Sequence, residues 1–129
     1  MGIVGTGVDI IEVDRVKRAL TRQLTGKRFQ QRVFTGNEIA YCESGGRPRF
    51  QSYAARFAAK EAVMKALGTG WNRHVGWGEI EVVRQRGHAP TIMLHGKAAE
   101  FARNYNIARF HLTLSHTAMF AIAYVIAES

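Results

Sequence analysis

The chain has one cysteine, two prolines and no apolar run approaching the length of a membrane span. Each scarcity excludes something. A single thiol, Cys42, rules out an internal disulfide framework and any zinc site built from several cysteines. Spanning a bilayer takes about 20 apolar residues, and the N-terminus also lacks the charged-then-apolar pattern of a signal peptide. The expectation is a cytoplasmic protein with no membrane segment. There is no internal repeat, low-complexity tract or Pro/Ser-rich linker, so residues 1–129 are expected to form one domain around one core. Acidic residues are scarce too: ten against eighteen Lys and Arg, for a formal net charge of +8 and a pI near 10.3. That imbalance suggests an anionic partner, whether nucleic acid, a phosphorylated ligand or an acidic protein. Composition does not choose among the three.

What is present reads as a mixture of strands and helices. Ile3 to Ile11 alternates as a strand, with Val4, Val8 and Ile10 opposite the glycines. Val13 to about Leu24 reads as a helix, and Phe29 to Phe34 as another turn or two. Thr35, with Glu38 three residues on, forms a capping box opening a short helix through Tyr41. Ser44-Gly45-Gly46-Arg47-Pro48 is a loop, and a long helix follows from about Phe50 to Leu67, stopped by Gly68 and Gly70. Glu79 to Arg84 and Thr91 to Leu94 alternate on either side of a turn at Gly87-His88-Ala89-Pro90. Lys97 to Tyr105 is a short amphipathic helix. Phe110 to Leu114 and Met119 to Ile126 make a hairpin around Ser115-His116-Thr117. The expected fold is α+β, a mostly antiparallel sheet packed with a long central helix.

The long helix carries the most chemistry. At about 100° per residue, Ala55, Ala58, Ala59, Ala62 and Ala66 share one side, small enough for another element to approach closely. Arg56 and Lys60 fall together elsewhere. Glu61 and Lys65 form a third group, each pair spaced i,i+4, with Phe57 and Met64 between the two pairs. Such a mixed face suits a metal-bound phosphate ligand: the carboxylate would hold a cation, and the basic residues would neutralise phosphate oxygens. The plainer reading of Glu61 and Lys65 is a surface ion pair worth ~0.3 kcal/mol.

Asp9 is a second anomaly, because a carboxylate in a strand of glycine and large aliphatics is costly to bury unless paired or cation-bound. Its alternative role is a cap on the following helix. Gly5 and Gly7 are no dinucleotide fingerprint, since Ile10 stands where the third glycine belongs, and no Walker A loop is present. His116, where a strand runs into a turn, is either a phosphate or proton-transfer group or a solvated turn residue. His74, His88, His95 and His111 lack metal spacing and read as structural. Arg15, Arg18 and Arg22 recur at i, i+3 and i+7 on the first helix, as a solvated stripe or a dock for an acidic partner.

Three segments in this order, Gly7-Val8-Asp9-Ile10-Ile11-Glu12-Val13-Asp14-Arg15, Arg56-Phe57-Ala58-Ala59-Lys60-Glu61-Ala62-Val63-Met64-Lys65-Ala66-Leu67-Gly68-Thr69-Gly70 and Leu114-Ser115-His116-Thr117, resemble the holo-[acyl-carrier-protein] synthase family, the short type of 4′-phosphopantetheinyl transferase. The resemblance spans nearly the whole chain. It implies transfer of phosphopantetheine from coenzyme A to a serine of apo acyl carrier protein, releasing adenosine 3′,5′-bisphosphate, by an α+β homotrimer with active sites between subunits. Carried over, Asp9 and Glu61 would ligate Mg²⁺, and Glu61, Lys65 and His116 would be catalytic. Arg56, Phe57, Lys60, Lys65, Gly68 and His116 would line the coenzyme A site. Glu61, a metal-bound water or His116 could each accept the serine proton. Arg15, Arg18 and Arg22 would dock an acidic helix of the carrier protein, which accounts for the positive balance. The rival reading is a nucleic-acid-binding domain that stacks bases on Trp71, Trp77 and Tyr53. It leaves Asp9 and Glu61 without a task, and no RNP, KH or helix-turn-helix signature accompanies it. A nearer alternative changes only the client, to a polyketide or peptide-synthetase carrier domain.

Overall fold

The computed structural model describes residues 2–69, 75–85 and 87–129. Gly70, Trp71 and His74, read above as a helix stop, a stacking aromatic and a structural histidine, lie outside the described residues. In chain order the elements are β1 (Ile3–Glu12), α1 (Val13–Thr21), α2 (Gly26–Val33), α3 (Gly36–Glu43), α4 (Arg49–Leu67), a 3₁₀ turn (Trp77–Glu79), β2 (Ile80–Val83), β3 (Thr91–Leu94), α5 (Gly96–Asn104), β4 (Arg109–His116) and β5 (Phe120–Glu128). β1, β5 and β4 pair antiparallel in that order, while β2 and β3 form a separate antiparallel ribbon.

The three-stranded sheet packs on α4 because both surfaces are small. Ala55, Ala58, Ala59, Ala62 and Ala66 of the helix are buried, as are Ala121, Ala123, Val125 and Ala127 of β5. β1 comes closer still. A Cβ on Gly7 would overlap the carbonyl oxygen of Ala62, and one on Gly5 would overlap that of Ala66. The alternation of the strand turns its large aliphatics the other way: Val8 and Ile10 of β1 are exposed, Ile10 by 62%, beside exposed Ile122 and Tyr124 of β5.

Helix boundaries follow local chemistry. α1 ends at Thr21, three residues short of the expected Leu24, because Arg22 is extended and the chain folds back so closely that a Cβ on Gly26 would overlap the carbonyl oxygen of Leu20. α2 accordingly starts at Gly26 rather than Phe29. The capping box at α3 is present in both directions: Glu38 N donates to Thr35 Oγ1 at 3.2 Å, and Thr35 N donates to Glu38 Oε1 at 2.9 Å. α4 stops at Gly68, whose φ of 77° is left-handed and suits glycine; Thr69 N then donates back to the Met64 carbonyl at 3.1 Å. No helix among the described residues is long and apolar enough to cross a membrane.

Candidate active site

Lys65 joins the two anomalies of the sequence. Its Nζ donates to Asp9 Oδ1 at 3.2 Å and to the Val8 carbonyl at 2.9 Å. The contact depends on the glycines. Asp9 lies on the same side of β1 as Gly5 and Gly7, and only their lack of side chains lets the strand come near enough to α4. The Asp9 side chain is 17% exposed. It does not cap α1, which starts beyond Glu12 at Val13.

Glu61, one helical turn before Lys65, is half-buried. Burial, and after it the charge of Asp9, push its carboxyl above the usual carboxylate range, while Lys65 and Arg15 act in the opposite direction. Two carboxylates close enough to repel, one of them half-buried and only partly relieved by Lys65 and Arg15, make a site where a further cation would be favoured. No group of three or more His, Cys, Asp or Glu side chains gathers as a metal cage among the described residues. Two carboxylates with the other positions left to water and substrate oxygens is the ordinary arrangement for Mg²⁺, so the residues present fit that ion.

The other charged pair of α4 points away from this site, and one expectation must be corrected. Lys60 is fully buried. Its Nζ meets Glu38 Oε1 at 2.8 Å and donates to the carbonyls of Trp77, at 3.0 Å, and Ile80. All three ammonium protons are spent inside the protein, so Lys60 has nothing to offer a coenzyme phosphate. Phe57 is half-buried, its ring stacked on Trp77 at 5.0 Å and on Phe29 at 6.3 Å, within a row of protein aromatics.

Arg56 differs from its neighbour one turn on. It is 4% exposed, and its guanidinium lies 3.9 Å from the ring centre of Tyr41, with Arg47 over the same ring at 4.2 Å. Its Nη1 donates to the Ser52 carbonyl at 3.3 Å, but its Nε has no partner. Arg56 lines a cavity of about 260 Å³ with Asn37, Tyr41, Glu81 and Arg84. Gly68 sits at the exposed end of α4, three residues past Lys65.

His116 is not brought to the Asp9 site within one chain. It ends β4, with β5 between it and β1, and it pairs across β5 with Ala121 rather than with the residue opposite Asp9. It borders a shallow cavity of about 250 Å³ lined by Ile10, Phe120 and Ile122. Of the basic stripe, Arg18 pairs with Asp14 on the surface, and Arg22 lines a groove of about 300 Å³ between α1 and α2. Arg28, Arg32 and Phe29 share that groove. Sequence reasoning passed over Arg28 and Arg32, though their i,i+4 spacing was there to be read. It also passed over Glu38, recognised only as a cap and not as the counterion of Lys60.

Of the three rival aromatics, the two described are not free to stack bases: Tyr53 is buried with its hydroxyl donating to Glu43 Oε2 at 2.7 Å, and Trp77 is stacked on Phe57. His95 meets Glu81 Oε1 at 2.9 Å and His111 meets Glu128 Oε1 at 3.1 Å, in keeping with structural roles.

Comparison with known proteins places this geometry. A family model described as the 4′-phosphopantetheinyl transferase superfamily matches residues 5–123. The holo-[acyl-carrier-protein] synthase of Solibacter usitatus (strain Ellin6076) is 48% identical over 127 residues, covering 98% of this chain and 99% of that protein. The crystal structure of holo-[acyl-carrier-protein] synthase from Neisseria meningitidis superposes with a TM-score of 0.88 at 29% identity, covering 98% of this chain and 99% of the other. The Bacillus anthracis synthase in complex with CoA (3′,5′-ADP) gives 0.80 at 34% identity, over 100% and 99%.

Proposed function

This chain belongs to the 4′-phosphopantetheinyl transferase superfamily, and from that premise we propose which residues carry its reaction. The chain transfers 4′-phosphopantetheine from coenzyme A to a serine of apo acyl carrier protein, giving the holo carrier and adenosine 3′,5′-bisphosphate. The serine oxygen bonds to the phosphorus that bears pantetheine, the bond from that phosphorus to the nucleotide oxygen breaks so that adenosine 3′,5′-bisphosphate leaves, and the serine proton passes to one of the candidate bases, Glu61, a water or His116.

The convergence of Asp9, Glu61 and Lys65 carries the reading. Asp9 and Glu61 hold Mg²⁺, which when bound neutralises charge on the pyrophosphate oxygens. Lys65, already within hydrogen-bond reach of Asp9, supports the same oxygens as charge builds on the leaving group. Arg56 meets a coenzyme phosphate, which its partnerless Nε beside a cavity supports. Gly68 lets the coenzyme approach the open end of α4. Arg15, Arg18 and Arg22, joined by Arg28 and Arg32, dock the acidic carrier protein. The electrostatic reach of Arg15 to Glu61 supports a dock that ends at the site.

Three copies assemble with an active site at each boundary. Two observations favour this: the exposed apolar patch of Val8, Ile10, Ile122 and Tyr124, and the separation of His116 from Asp9 within one chain. On this reading the coenzyme contact and catalytic role of His116 are supplied across a boundary. The enzyme serves fatty-acid and lipid synthesis in the cytoplasm.

The test is intact-mass spectrometry of apo acyl carrier protein incubated with the chain and coenzyme A, with Mg²⁺ and with chelator. A gain of one phosphopantetheine only in the presence of metal is expected. A gain that persists with chelator would sink the metal assignment. No gain on this carrier, but gain on a polyketide or peptide-synthetase carrier, would move the client.

A further inference from the structure

We propose that Lys60 is a positioning residue: it fixes the rotation of α4, and through it the spacing of Glu61 from Asp9. The inference rests on the reading of Asp9 and Glu61 as cation ligands. Lys60 reaches three separate elements at once, through Glu38 of α3, the Trp77 carbonyl in the 3₁₀ turn and the Ile80 carbonyl at the start of β2. Glu38 is equally filled, since its carboxylate also accepts from Thr35 N at 2.9 Å and from Val82 N at 2.8 Å. Neither side chain is exposed. On another side of the same helix, the backbone at Ala62 and Ala66 is pressed against Gly7 and Gly5. α4 is therefore held by a buried polar knot on one side and by backbone contact on the other.

Glu61 is the next residue along from Lys60, so a roll of the helix about its axis moves it directly. Side chains extend about 5–6 Å from a helix axis, and a 20° roll sweeps an outer atom by about 2 Å. A misplacement of about 1 Å can cost a hundredfold in rate. Net stability is a weak reason for such a knot, because buried ion pairs are often replaceable by neutral groups without loss. Orientation is the property that neutral replacement would not restore.

The double variant K60M/E38Q separates the two. It removes both charges, keeps the volumes similar, and leaves glutamine able to complete the capping box. Mn²⁺ serves as probe, titrated by electron paramagnetic resonance with saturating coenzyme A and no carrier protein, beside thermal unfolding and kcat. The expected result is a cooperative thermal transition, a Mn²⁺ dissociation constant about tenfold higher, kcat reduced about a hundredfold, and KM for carrier protein within twofold of the parent. Parent-like Mn²⁺ affinity and kcat in the folded variant would overturn the inference. E38Q alone, which leaves Lys60 its two carbonyl acceptors, is the milder variant; it should raise the same constant about threefold if geometry is at stake. An unchanged constant in folded E38Q overturns the inference as well. Absence of Mn²⁺ binding by the parent would instead bring down the cation assignment itself, and the inference with it.

Discussion

Two charged pairs, each spaced i,i+4, lie on α4 five residues apart, and the fold treats them in opposite ways. Arg56 and Lys60 are sunk among α3, the 3₁₀ turn and β2, where Lys60 is saturated by protein acceptors. Glu61 and Lys65 stay on a flank that Asp9 approaches from β1, with Lys65 exposed and Glu61 half-buried. Spacing is alike in the two pairs but charge is not: Arg56 and Lys60 are both cations, whereas Glu61 and Lys65 are of opposite sign. The neighbours differ too: Glu38 pairs with Lys60, whereas Asp9 adds a second carboxylate beside Glu61. Lys60 is closed off by protein acceptors, while the Asp9–Glu61 flank is left open to a cation. A buried ion pair and a candidate active site therefore share one helix, distinguished by whether each charged group is already met by protein partners.

Breaking the open side should give the largest effect on activity. Glu61→Gln is expected to lower turnover by about 10³-fold, as loss of a preorganised electrostatic element does. Stability should hold or rise. The folded-state carboxyl of Glu61 is raised, so its favourable contribution is present at low pH and lost as pH climbs through the folded value. A glutamine escapes that loss at pH 7. Near-normal turnover at saturating Mg²⁺, or a fall in Tm of the size seen for core substitutions, would erase the contrast between the two sides.

Arg15 sharpens the comparison from the docking end. Arg15→Glu should raise KM for carrier protein about tenfold while changing KM for coenzyme A little. Equal effects on both would assign Arg15 to the chemistry and not to docking. The smallest signal should come from the closed side. Cys42 is buried on α3, and desolvation pushes its thiol up to about 12. At pH 8 it should stay unmodified by Ellman's reagent in the native protein and react fully in denaturant. Rapid native reaction would mean that the buried surroundings of Lys60 and of Glu38 on α3 are not sealed.

The sequence made the elements readable because their signals are local: the capping box at Thr35, the glycine end of α4, the hairpin of β4 and β5. Asp9, Glu61 and Lys65 were readable as anomalies, a carboxylate in an apolar strand and a mixed face on an alanine helix. The fate of Lys60 was not, because its burial depends on Glu38 and on two carbonyls seventeen and twenty residues downstream. Nor did alternation in β1 reveal which side faces the core. Large aliphatics are ordinarily the buried ones, yet here the glycine side is buried, since close approach to α4 is worth more than side-chain volume. The separation of His116 from Asp9 follows from strand order, which hairpin signals alone do not specify.

The two glycines of β1 also constrain how the chain can go wrong. A strand may slip along its neighbour during folding, and a slip of one residue turns all its side chains to the opposite face. Slipping β1 by one residue would bring Thr6 and Val8 against the α4 carbonyls, where even a methyl group does not fit. Slipping by two would bring Asp9 into the gap that Gly7 occupies. Each misalignment meets a steric veto before it can bury anything, so the same absence of atoms that delivers Asp9 to Lys65 also proofreads the alignment of the strand that carries it.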